Sequence, residues 1–138
     1  MYYSSTIDKL HEMKFITMAD AYNNQRNDPK TQGLTFDERL GLLVDIEYTA
    51  KKSEQVKRLT KRATFDQPAA SVVDVDYNSG RKLDQDLILK LAGCSYIPAS
   101  LNVFITGATG CGKTFLACAL GIEACKQYYD VKYLHLPD

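Results

Sequence analysis

Residues 107–114, Gly-Ala-Thr-Gly-Cys-Gly-Lys-Thr, are the stretch whose residue types and spacing could do chemistry. Gly107, Gly112, Lys113 and Thr114 fit the phosphate-binding pattern G-x-x-x-x-G-K-[ST]. A polyphosphate needs backbone N–H groups aimed inward, and glycines let the backbone turn tightly and come close to the oxygens. Ala108, Thr109, Gly110 and Cys111 complete the expected cradle. Lys113 is expected to place its ammonium on the β- and γ-phosphates, and Thr114 to offer its hydroxyl to Mg²⁺. A helix opening at Lys113 adds its positive N-terminal end. The competing reading is a Gly-rich turn that holds no ligand.

The flanking sequence favours the phosphate reading. Leu101, Val103, Phe104 and Ile105 form a short apolar run, which predicts a strand buried on both faces of a parallel sheet. Lys113 to Gln127 is apolar almost all round, as in a helix packed between layers. Residues 131–136 read as a second strand. These elements predict an α/β protein: a small N-terminal helical domain, then the start of a parallel-sheet P-loop NTPase domain.

A second constellation lies upstream. Lys51, Lys52, Lys57, Arg58, Lys61 and Arg62 face the single acid Glu54, a net charge of +5 over residues 51–62. Cations on one side of a rigid helix can neutralise successive phosphates of duplex DNA and release counterions. Such contacts fix position without reading sequence. The alternative is a solvated helix face.

These groups need positioning elements. Residues 4–28 read as helical, with a break near Phe15–Thr17, and residues 27–33 as a loop marked by Pro29 and Gly33. Thr35 with Glu38 three residues later is a capping box. It opens a helix predicted over residues 36–62, with Phe36, Leu40, Leu43 and Val44 as one apolar stripe continued by Val56 and Leu59. Residues 63–80 lose periodicity and collect the acids Asp66, Asp74 and Asp76. The expected domains are therefore 1–65, a linker over 66–80, and 81–138. Helical spacing resumes at Leu83, and Gly93 reads as a C-terminal stop.

Composition sets further bounds. The 138 residues suit about one domain, and 17 basic against 17 acidic residues leave overall charge silent about partners. Cys94, Cys111, Cys118 and Cys125 form no C-x-x-C pair, which argues against a metal site or disulfide framework. No signal peptide and no membrane span is read, so the expected location is cytoplasmic.

The quoted segments together resemble the IstB family of transposition helper ATPases, within the AAA+ class and similar to DnaC-type helicase loaders. The likeness runs through Leu34-Thr-Phe-Asp-Glu-Arg-Leu-Gly-Leu-Leu-Val44 and Arg58-Leu-Thr-Lys-Arg-Ala-Thr-Phe65. It is closest from Asn102 to Gly121 and in Glu123-Ala-Cys125. The resemblance implies that Gly107–Thr114 is the Walker A element, holding ATP with Mg²⁺. It also implies N-terminal helices that contact DNA or neighbouring subunits, homo-oligomers that assemble on DNA with ATP, and a transposase partner. Its Walker B acids, sensor and arginine finger are expected beyond Asp138, so the chain reads as a front fragment whose turnover is open. The alternatives are a helicase loader, a small-molecule kinase, and a non-catalytic nucleotide- or DNA-binding fragment.

Overall fold

The computed structural model describes residues 2–77, 83–107 and 112–136. Five α-helices follow in order: α1 (Tyr2–Glu12), α2 (Ile16–Asn27), α3 (Phe36–Ala63), α4 (Gln85–Ala92) and α5 (Lys113–Lys126). The chain forms two compact units, Met1–Glu54 and Gln55–Asp138, divided within α3.

In the first unit, α1 ends where Lys14 takes a left-handed conformation, φ 68°. Its N–H bonds His11 O at 3.0 Å, and Phe15 N–H bonds Leu10 O at 2.8 Å. These paired bonds form a Schellman closure, and they realise the expected helix break. α2 then starts without a cap from its own Phe15. Glu47 of α3 supplies one, its Oε1 accepting Met18 N–H at 3.1 Å. The buried Gln25 ties α2 to α3 by donating from Nε2 to Arg39 O at 3.1 Å. Asp28 caps a short 3₁₀ turn over Pro29–Gly33 by accepting Lys30 N–H. Thr35 Oγ1 accepts Glu38 N–H at 3.1 Å and donates to Glu38 Oε1 at 3.2 Å, so the capping residues do open α3.

The second unit is built around α5. One face of this helix, with Cys118, Ala119, Ile122 and Cys125, packs on Leu59, Ala63, Phe65 and Ala70. Another face, with Leu116 and Leu120, packs on Ile88 of α4 and on Val72, Val75, Tyr77 and Leu83. Burial on two sides explains why α5 is apolar almost all round. Phe65 crosses α5 at Gly121, where an added Cβ would stand 2.5 Å from Phe65 Cε1. Asp84 caps α4 by accepting from Asp86 and Leu87 N–H. Its left-handed end falls on Cys94, φ 63°, one residue beyond the expected Gly93.

The expected α/β class is corrected by the structure. Among the described residues there is no strand, and all regular structure is helical. A sheet requires neighbouring segments to exchange backbone hydrogen bonds. Here Ile105 packs on the Leu116/Leu120 face of α5, while Val131 and Tyr133 pack on the Cys118/Ile122 face. The two segments that would have to pair thus pack against different faces of α5. Tyr133 N–H instead donates to Ala63 O, at the end of α3, at 2.8 Å. Leu101 and Phe104, read as doubly buried, are 64% and 87% exposed.

Candidate phosphate site and basic helix

α5 begins directly after Gly112, which holds φ 86°. That left-handed turn favours glycine. Among the described residues no side chain caps the helix, and the first N–H groups of a helix have no partner within it. Lys113 and Thr114 occupy this first turn and are half-buried. Gly107 lies at the end of the segment that leads in. Ala108, Thr109, Gly110 and Cys111 lie outside the described residues. The uncapped helix end and the Gly112 turn suit a phosphate group, with Lys113 as its cation. The Thr114 hydroxyl in this turn is a candidate Mg²⁺ ligand. No cluster of three His, Cys, Asp or Glu side chains that could hold a metal occurs among the described residues.

A cavity of about 190 Å³ opens beside this helix end. Gly112, Phe115 and Leu116 line one side, and Asp74, Val75, Asp76 and Leu83 line the other. The Tyr77 hydroxyl nearby is buried with no hydrogen-bond partner among the described residues. Sequence reasoning assigned residues 66–80 to a linker and missed this. The available signal was the apolar set Val72, Val73, Val75 and Tyr77, three of which pack against the core.

The basic residues divide into two groups. Lys51 is half-buried and structural: it pairs with Glu47 at 3.6 Å, donates to Lys14 O and lies 5.4 Å from the Phe15 ring centroid. Lys52 stands 5.6 Å from the Tyr48 ring centroid. Lys57, Arg58, Lys61 and Arg62 are exposed on α3, whereas Leu59 and Ala63 beside them are buried. Arg62 pairs with Asp130 at 3.0 Å. Lys57, Arg58 and Lys61 make no ion pair among the described residues.

Cysteine chemistry is suppressed. Burial pushes the Cys94 thiol up from its ordinary value, and the Glu123 charge adds to this. Burial likewise raises Cys125, with Asp130 adding and a Thr60 hydrogen bond opposing. Both behave as small apolar core residues. No helix among the described residues is long and apolar enough to cross a membrane.

A helix entered from a glycine and opening on Lys-Thr is the part of the phosphate-binding pattern G-x-x-x-x-G-K-[ST] that the structure describes. The IstB-like ATP binding protein family matches residues 8–138. A Pseudomonas fluorescens protein, named as an ATP-binding protein of insertion sequence IS1162, is 41% identical over 96% of this chain and 57% of its own length. The Sinorhizobium fredii insertion-sequence proteins y4pL and y4uH are 37% and 30% identical, each over 96% of this chain and over 54% and 53% of their own lengths. The chain belongs to the IstB-like ATP-binding family, and it spans about half the length of the curated relatives it matches.

Proposed function

We propose that this chain binds ATP at the start of α5 and holds duplex DNA along the end of α3, as part of a transposition helper that works with a transposase. The observation that carries the reading is the uncapped N-terminus of α5, with Gly112 at φ 86° followed by Lys113 and Thr114. In this reading the backbone N–H groups of 107–114 and the Lys113 ammonium hold the β- and γ-phosphates. The Thr114 hydroxyl is a ligand to Mg²⁺, and the ion neutralises phosphate charge when bound. The cavity lined by Val75, Leu83, Phe115 and Leu116 is the adjoining space for the rest of the nucleotide. Lys57, Arg58 and Lys61 supply sequence-independent phosphate contacts to DNA.

Family membership supports ATP as the ligand, and the exposed cations on α3 support DNA. Thermal unfolding with and without ATP·Mg²⁺ tests the reading. A ligand bound only by the folded chain raises the midpoint in a concentration-dependent way. An unchanged midpoint up to millimolar ATP counts against it.

A further inference from the structure

In the first unit, polar bonds tie α2 to α3 at two points. Glu47 Oε1 accepts Met18 N–H, and Gln25 Nε2 donates to Arg39 O, each at 3.1 Å. Between the two helices lies an open groove of about 660 Å³. Thr17, Ala21 and Asn24 recur at one-turn spacing along its α2 side, and Leu42, Ile46 and Ala50 along its α3 side. Leu42 and Ile46 are 51% and 44% exposed, although their neighbours Leu43 and Glu47 are buried. An apolar groove between two helices is where a third helix can pack.

We propose that this groove takes a basic amphipathic helix of another protein. Its apolar anchors at i, i+4 and i+7 sit between α2 and α3, and its lysines or arginines meet the rim. Charge selects the partner. Asp45 lines the groove. Glu38 stands one turn before Leu42, and Asp20 one turn before Asn24, so each shares a helix face with a lining residue. Neither Asp20 nor Asp45 makes an ion pair among the described residues. Arg39, also about one turn before Leu42, donates through Nε to Gln25 Oε1 at 3.4 Å. With Arg39 counted, these three acids leave a net charge of −2. Arg26 of α2 lies about 200° around that helix from Asn24. An acidic rim repels nucleic-acid phosphates and attracts a cationic helix.

The described helices of this chain do not supply that partner. The basic end of α3 has its apolar residues Leu59 and Ala63 already buried in the core with α5. α5 itself is buried on two faces, and α4 opens on the acids Asp84 and Asp86. α1 carries Lys9 against Asp8 and Glu12. The site rests on the first unit alone and does not depend on the phosphate reading.

Selection of the chain against a displayed library of randomised helices of about 14 residues, roughly four turns, tests the proposal. It expects the enriched peptides to share apolar residues at one-turn spacing with lysine or arginine on both flanks. A synthetic copy of one should bind saturably, and Ile46→Lys should weaken it at least about tenfold. Asp20→Lys combined with Asp45→Lys should reverse the preference, so that a twin peptide with glutamates in place of its cations binds better. Circular dichroism of each variant checks that the helices remain. No enrichment over the Ile46→Lys chain overturns the proposal. So does enrichment of acid-flanked peptides, or an unchanged preference in the double variant, since either removes the charge argument. Sedimentation in which the chain alone dimerises and Ile46→Lys does not would also overturn it, because the groove then holds a second copy.

Discussion

Glu47, on α3, accepts the N–H of Met18 in the first turn of α2 at 3.1 Å. The carboxylate does from a distance what a local N-cap does, because Phe15 has no side-chain acceptor to offer. Lys51 joins the same carboxylate at 3.6 Å. Glu47→Ala should therefore destabilise the chain by about 1–2 kcal/mol in urea unfolding, through a lost cap and an orphaned N–H. Glu47→Gln keeps an acceptor and should lose less. Equal losses for the two substitutions would show that packing, not the hydrogen bond, matters there.

Thr64 follows the last residue of α3 with φ 57°, and its side chain is exposed. A β-branched residue is strained in this left-handed position, where glycine is not. Thr64→Gly should raise stability by about 1 kcal/mol. A lower urea midpoint at unchanged slope would show that its hydroxyl bond to Ala63 O outweighs the strain.

Gly121 is covered by the buried Phe65 ring, which also meets Tyr133 with centroids 6.4 Å apart. A methyl group at position 121 must displace that ring. Gly121→Ala should cost roughly 1–3 kcal/mol, against the usual gain for replacing a helical glycine. A stabilised Gly121→Ala would show that Phe65 moves aside freely.

Local signals were legible in the sequence and distant ones were not. The Thr35–Glu38 cap, the break after α1 and the apolar α5 each depend on residues within a few turns, and all three appear. The strands depended on lateral pairing, which no run such as 101–105 can specify by itself. Phe65 read as the edge of a linker because its partner, Gly121, lies 56 positions on. The division at Glu54/Gln55 was hidden by the unbroken helix that carries it. At the candidate site the motif gave Gly112, Lys113 and Thr114. The opposite wall at Asp74–Asp76 came only from the fold.

The two groups of basic residues make separable predictions. Replacing Lys57, Arg58 and Lys61 together by glutamine should flatten the salt dependence of duplex binding by about 2.7 in log–log slope, at 0.9 per lost contact. Affinity should fall alike for all sequences. Lys51→Gln should leave the slope alone and lower stability, since that side chain serves Glu47 and Lys14. A triple variant with the parental slope would make this face merely solvated.

The central claim is that the start of α5 is a phosphate site. Titration of the chain with a fluorescent ATP analogue, with and without Mg²⁺, tests it most directly when set beside Lys113→Ala and Thr114→Ala. The account predicts saturable binding that Lys113→Ala abolishes, and a Mg²⁺ enhancement that Thr114→Ala removes. Binding with the same affinity in Lys113→Ala would contradict it.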